Sequence, residues 1–411
     1  MTDANPSMKT MAEREAAVLV GLAVRGLPPV VVAAHLAELA QLVDTAGATV
    51  VGQLVQERKA PNPAFLIGRG KLEELVTLVT ELAARVVVFD DDLTPSQVRH
   101  IEEALPDDVK VLDRSAVILD IFALRARSRE AQTQVELAQM SYLLSRLTRR
   151  WSHLSRQAGG IGTRGVGETQ LESDRRVIRR RIAALRGRLD EIERERAVQR
   201  RRRQQLPGVA LVGYTNAGKS TLFTALTGSD TLAEDRLFAT IDPRVRRAEL
   251  GDGLAVTVAD TVGFIRKLPH HLIASFRATL AEAALAQVVV HLVDSSHREW
   301  PDHLRVGEDV LESLGVDPRR CLVALNKADR LDGEPPLPPA DRRSFLISAL
   351  TGEGLAELRA AIRGVVLSQP GLEILRFPPE GGEPLERALR DEEIIARRFG
   401  PEGIELVVRR T

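Results

Sequence analysis

Lys219 and Ser220 close the octapeptide Gly213-Tyr214-Thr215-Asn216-Ala217-Gly218-Lys219-Ser220, a run of the form G-x-x-x-x-G-K-[ST]. Those residue types at that spacing suit a polyphosphate. The glycines let backbone N–H groups crowd around phosphate oxygens, and a helix opening at Thr221 adds its positive end. Lys219 supplies a mobile charge for the β and γ phosphates, and Ser220 a hydroxyl for Mg²⁺. Alone, the loop also fits an ordinary glycine-punctuated turn. Three later segments narrow the chemistry. Asp260-Thr261-Val262-Gly263 is a D-x-x-G pattern, with Asp260 set to hold Mg²⁺ through water and the Gly263 N–H to meet the γ phosphate. Asn326-Lys327-Ala328-Asp329 is an N-K-x-D tetrapeptide. Its Asp329 carboxylate accepts two N–H bonds from the N1 and N2 edge of guanine. Adenine lacks that donor pair, which leaves the carboxylate unpaired at a cost of about 1–3 kcal/mol. Ser348-Ala349, with Leu350 after them, offer backbone groups to the base oxygen. Together the four segments specify GTP and GDP as ligands and Mg²⁺ as cofactor.

Chemistry of this kind needs rigid elements beneath it. Each motif follows an apolar run that reads as a buried strand: 209–212, 254–259, 321–325 and 345–347. Residues 221–226 read as a helix. The predicted fold is α/β, a mostly parallel sheet with helices on both faces, in which ligands bind beyond the carboxyl ends of the strands. Cys321, the single cysteine, lies in one of these strands and reads as a small buried hydrophobe. With no disulfide possible, a reducing compartment is favoured. The chain has 411 residues, 44% of them apolar, and 57 basic against 57 acidic side chains. Balanced charge leaves nucleic-acid binding to local clustering. No apolar run reaches the length of a membrane span and no leader pattern opens the chain, so a cytoplasmic protein is expected.

Around the nucleotide domain, placed at 206–369, the pattern suggests four other parts. Residues 1–15 are polar. Residues 16–115 alternate helix and strand as a small α/β domain: helices at 30–43 and 70–82, strands at 48–55, 85–89 and 109–112. Thr94 and Pro95 suit the N-cap and first position of a further helix. Residues 116–205 read as a long helical hairpin whose Gly-rich tip, 156–168, separates 129–151 from a highly charged second helix. Residues 370–411 form a small α+β module with two strands, 372–377 and 404–408, and a charged helix between them.

The chain resembles the HflX family of ribosome-associated GTPases over nearly its whole length. Phe65-Leu66-Ile67-Gly68-Arg69-Gly70-Lys71, Val111-Leu112-Asp113-Arg114-Ser115, Ile118 to Ala123 and Gln134 to Gln139 carry the likeness outside the nucleotide domain. The most diagnostic stretch is Gly159-Gly160-Ile161-Gly162-Thr163-Arg164-Gly165-Val166-Gly167-Glu168-Thr169-Gln170-Leu171-Glu172, with Asp260-Thr261-Val262-Gly263-Phe264 inside the domain. The resemblance implies a GTPase that binds rRNA and ribosomal proteins of the large ribosomal subunit and splits stalled or idle ribosomes, the hairpin reaching toward the peptidyl transferase centre; nothing in the sequence suggests an obligate dimer, so a monomer is expected. It also implies Thr240, in Phe238-Ala239-Thr240-Ile241-Asp242-Pro243, as the switch residue that joins the Mg²⁺ shell only with the γ phosphate present. Lys219, Thr240 and Gly263 are then the catalytic set. The chain departs from the family at Val166, where Pro is usual, at Ser145 before Arg146-Leu147, and at His100, where Asn is common.

Many GTPases carry Gln after the D-x-x-G glycine to orient the attacking water. Here Phe264 stands there, so either a partner surface orders the water or another polar group does. From Arg175 to Arg203 there are thirteen arginines and four acidic residues, ending in Arg200-Arg201-Arg202-Arg203. A solvated helix face explains such a run as well as phosphate recognition does. Arg156 and Arg164 at the tip favour rRNA contact, mainly to phosphate and shape. Two other readings stay open: a GTP-dependent switch that scarcely turns over, and ATP-driven RNA remodelling through the N-terminal domain, which lacks a phosphate loop of its own.

Overall fold

The computed structural model describes residues 14–26, 28–147, 166–203, 206–229, 237, 238, 240, 244–251, 253–267, 283–331, 333, 342–369, 372–401 and 403–409. The chain divides into two compact units, residues 1–124 with 139–181 and residues 125–138 with 182–411.

In the first unit the order is β1 (Ala16–Val24), α1 (Pro29–Ala46), β2 (Thr49–Arg58), α2 (Arg69–Glu81), β3 (Val86–Phe89), α3 (Pro95–Glu102), β4 (Lys110–Asp113) and α4 (Arg114–Arg125). The four strands are parallel, in the order β2-β1-β3-β4. β1 was not named by sequence. Its run of Ala, Val and Leu carries no periodicity that separates a strand from a buried helix, and the structure seats it between β2 and β3. Val18, Val20, Val87 and Phe89 pack with Leu75 and Ile101 to fill this core. Thr94 opens α3 with a reciprocal cap: Gln97 N donates to Thr94 Oγ1 at 3.3 Å, and Thr94 N donates to Gln97 Oε1 at 2.8 Å. Arg114 is buried in ion pairs with Glu38 and, at 2.7 Å, Asp90.

α5 (Arg129–Arg146) and α6 (Val166–Arg203) are the helices in the region read from sequence as a hairpin. Arg156 and Arg164 lie outside the described residues. Arg200–Arg203 form the last turn of α6.

The second unit holds the sheet on which the phosphate loop sits. Its strands are β5 (Gly208–Gly213), β6 (Arg244–Glu249), β7 (Ala255–Asp260), β8 (Val288–Asp294), β9 (Cys321–Asn326) and β10 (Ser344–Leu346). Their order is β10-β9-β8-β5-β7-β6, all parallel except β6 against β7. α7 (Lys219–Thr227), α8 (Trp300–Ser313) and α9 (Leu355–Leu367) connect them. The apolar runs are buried on both faces, as parallel strands require: Val209, Leu211, Val256, Val258, Val290 and Leu322 share one core with Leu222 of α7 and Leu358 of α9. Cys321 differs from expectation. It is the first residue of β9 and half-buried, and burial pushes its thiol up to about 11.

At the carboxyl end come β11 (Leu372–Phe377), α10 (Glu383–Asp391), β12 (Glu393–Gly400) and β13 (Gly403–Arg409), an antiparallel sheet in the order β11-β13-β12. Sequence reading missed β12. A register shift between Ile394 and Ala396 breaks its alternation, and strand patterning is read from that alternation. Ile395, Ala396 and Val407 join the core of the six-stranded sheet. No helix among the described residues is long and apolar enough to cross a membrane.

Candidate functional site

The sheet order makes β5 and β8 the pair at which successive connections leave in opposite directions, and such a switch point opens a crevice beyond the strand ends. β5, β7, β8 and β9 all terminate there, in Gly213, Asp260, Asp294 and Asn326.

After Gly213 the loop is strapped to the D-x-x-G segment. Phe264 N donates to Gly213 O at 2.9 Å, Thr215 N donates to Phe264 O at 2.7 Å, and Thr261 Oγ1 donates to Leu211 O at 2.7 Å. Gly263 therefore sits against the loop: a Cβ there would lie 2.8 Å from Thr215 Cα and 2.9 Å from Lys219 Nζ. Gly218 takes φ +92° at the start of α7, and a Cβ on it would lie 2.2 Å from Asn326 Nδ2. Only glycine meets both demands.

Lys219 is buried and donates to Gly213 O at 3.1 Å and Tyr214 O at 2.8 Å, curling back over the loop. Burial pulls its ammonium down to about 8, against the attraction of Asp260. Ser220, Thr240 and Asp260 converge: both hydroxyls donate to Asp260 Oδ2, at 2.9 and 3.0 Å, and they stand 3.1 Å from each other. Asp260 is fully buried, and burial raises its carboxyl above the usual range while Lys219, Ser220 and Thr240 oppose the shift. Its Oδ1 and the Thr215 Oγ1 are buried without a hydrogen-bond partner. Phe238, with φ +56°, is buried two residues before Thr240.

At the other end of the crevice Asn326 acts as a tie. Its Nδ2 donates to Ala217 O at 2.8 Å, and Ala349 N donates to its Oδ1 at 2.9 Å, joining the phosphate loop to the 348–350 turn. Asp329 is exposed, and Ser348 Oγ donates to its Oδ1. Ser348 and Ala349 are buried and Leu350 is exposed. Asn216 is exposed at the loop's apex, while Ala217 is buried and Thr221 half-buried.

The structure adds Asp294 and His291, which sequence reasoning passed over. Lys327 Nζ pairs with Asp294 Oδ2 at 2.7 Å. Burial alone would raise the Asp294 carboxyl, but hydrogen bonds from Lys327 and Ser296 hold it below the usual range. Asp294 ends an apolar strand as Asp260 does, and that parallel was a legible signal. Phe264 is 2% exposed, its ring edge-on to His291 with centroids 6.4 Å apart. It is a packing residue, and its ring faces no solvent.

The geometry is that of a nucleotide crevice, and known proteins agree. Residues 33–123 match the family described as GTP-binding GTPase N-terminal, residues 125–203 the GTP-binding GTPase middle region, and residues 208–327 the 50S ribosome-binding GTPase family. The GTPase HflX of Caldanaerobacter subterraneus subsp. tengcongensis is 45% identical over 371 residues, 90% of this chain and 86% of that protein. The chain belongs to the HflX family of GTPases. The GTPase HflX of Escherichia coli is 42% identical over 84% of this chain and 82% of its own. Among solved structures, a GTP-binding protein from Sulfolobus solfataricus in complex with GDP aligns at 25% identity over 85% of this chain and 98% of that one, with a TM-score of 0.43. This HflX-family chain is thus a GTP-binding protein and a GTP hydrolase of a ribosome-binding family.

Proposed function

We propose that this GTPase binds the large ribosomal subunit in its GTP form and separates stalled or idle ribosomes into subunits. The observation that carries the reading is the match of residues 208–327 to the 50S ribosome-binding GTPase family, beside N-terminal and middle regions that match GTP-binding GTPase models. The proposed organisation is a polar segment 1–15, an α/β domain 16–115, a helical hairpin 116–205, the GTPase domain 206–369 and a C-terminal module 370–411. The protein acts as a cytoplasmic monomer. Arg156, Arg164 and Arg200–Arg203 meet rRNA phosphates, since the guanidinium fork binds two oxygens at once.

The triphosphate lies over residues 213–221, with the Lys219 ammonium on the β and γ phosphates, whose charge offsets the cost of burying it. The Asp260, Ser220 and Thr240 oxygens form the hard donor set magnesium prefers, and the unpartnered Asp260 Oδ1 supports the fit. Magnesium held by these oxygens would neutralise charge developing on the phosphates. Thr240 and the Gly263 N–H respond to the γ phosphate, so the segments carrying them report which nucleotide is bound. Asp329 reads the N1 and N2 edge of guanine, held in place by Ser348, while the Ala349 and Leu350 backbone flanks the base. Because the Phe264 ring is buried, water is ordered by a group from elsewhere, and the ribosome is the partner that supplies it.

The test sediments intact ribosomes with the protein plus GTP, a non-hydrolysable analogue, or GDP. Subunits released with GTP and the analogue but not GDP support splitting driven by binding. Ribosomes that stay intact in all three arms, with no rise of about ten-fold in GTP turnover on adding large subunits, refute the proposal.

A further inference from the structure

His297, Glu299 and His303 stand together in the turn after β8 and the first turns of α8, each offering a ligand atom, all within 4.8 Å of one another. They take no part in the phosphate, base or magnesium contacts described above. His303 is 6% exposed, and its Nε2 is buried with no hydrogen-bond partner. A buried acceptor or donor left without a partner is costly, so such an atom points to a ligand. The ring carrying it is held in place. It stacks on Tyr214 of the phosphate loop with centroids 3.9 Å apart and planes 10° from parallel, and the His297 ring lies 4.6 Å away. Glu299 Oε2 is also buried. Arg266 Nη2 lies 3.0 Å from it, an ion pair bent away from hydrogen-bond alignment.

We propose that His297, Glu299 and His303 bind a late first-row divalent cation of the zinc class, at a site separate from that of magnesium. Two imidazoles and one carboxylate, with a fourth position left to water, are a zinc donor set. Magnesium takes oxygen ligands, so the two sites select different ions by ligand softness. Bonds of about 2.0–2.2 Å to the ion draw the three side chains inward by about an ångström. His297 is exposed and has room to make that movement. Its Nδ1 accepts from Glu299 N at 3.2 Å. The ion also competes with Arg266 for the Glu299 carboxylate. Arg266 N donates to Tyr214 Oη at 2.7 Å, so the site adjoins the junction of the phosphate loop and the D-x-x-G segment.

The test uses the full chain, stripped of metal by chelation, free of nucleotide, and titrated with Co²⁺ as a visible reporter for Zn²⁺. The expected result is a d–d absorption band that saturates at a single equivalent, is bleached by Zn²⁺ and ignores a large excess of Mg²⁺. His297→Gln and His303→Gln each weaken Co²⁺ binding by at least about ten-fold, while Asp260→Asn leaves the band in place. Should His303→Gln fail to fold, His297→Gln decides alone, because its side chain is exposed. No saturable band in the natural chain overturns the proposal. So does a band that His297→Gln leaves unaltered or that Asp260→Asn removes.

Discussion

Gly263 has no room for a side chain, since its neighbours on that side are the backbone of Thr215 and the ammonium of Lys219. Gly263→Ala must push the phosphate loop and the D-x-x-G segment apart. Overpacking of this kind costs about 1–3 kcal/mol, and here the strain falls on phosphate-binding groups. GTP affinity, read with a fluorescent analogue, is expected to fall at least about ten-fold, with circular dichroism unchanged. Asp329 gives a specificity test. Asp329→Asn replaces one acceptor by a donor, so the guanine edge loses about 1–3 kcal/mol, or roughly five- to 150-fold in affinity. Xanthine presents a carbonyl where guanine has its amine, and xanthosine triphosphate is expected to gain against the variant in competition binding. Equal losses for both nucleotides would remove Asp329 from base recognition. These two residues were readable from their motifs. Asn326 was placed near the base by motif, yet its tie between Ala217 and Ala349 needed the fold.

Among elements, β8 and α8 carry a constraint that no motif announces. His291 lies in β8, 1% exposed, and a Cβ on Gly307 of α8 would stand 2.2 Å from its Nε2. The glycine lets the helix ride close over the strand. Burial, helped by the Lys219 charge, lowers His291 to about 4 from an ordinary 6.5. The unfolded chain therefore takes up this proton first as pH falls. His291 contributes stability in full above about pH 6.5, and that contribution is lost toward pH 4, at up to about 1.4 kcal/mol per pH unit. Thermal midpoints across this window are expected to drop less steeply for His291→Gln than for the natural chain. Parallel slopes would show that the imidazole is charged in the fold. β8 itself was not read from sequence, although its run Val288–Asp294 is as apolar as the strands that were; β1 and β12 escaped too, one for want of any period and the other because a bulge resets its alternation.

At the scale of the whole molecule, the proposed function rests on a GTP site and an arginine-rich helix in the same chain. α6 ends in four consecutive arginines one short linker before β5. Replacing Arg200–Arg203 by Gln is expected to weaken ribosome binding by at least about ten-fold at physiological salt and to flatten its salt dependence, because each phosphate contact made adds to the slope and each one lost removes its share. GTP affinity of the free protein stays as it was. Loss of nucleotide binding instead would make these arginines part of the GTPase fold.

Sequence alone determined the ligand class, the order of the phosphate, magnesium and base motifs, the α/β architecture and the family. Those properties are written in local runs: glycines where backbone must approach phosphate, a carboxylate where guanine offers paired donors, apolar stretches where strands are buried on both faces. Tertiary structure decided what depends on residues far apart in the chain. The Ser220–Thr240–Asp260 cluster joins three segments. Phe264 is a core side chain because His291 lies beside it, and the Asp294–Lys327 pair and the histidines beside Tyr214 meet only once β8, β9 and the phosphate loop lie side by side. Packing brings such groups within a few ångströms, and no spacing along the chain encodes that distance.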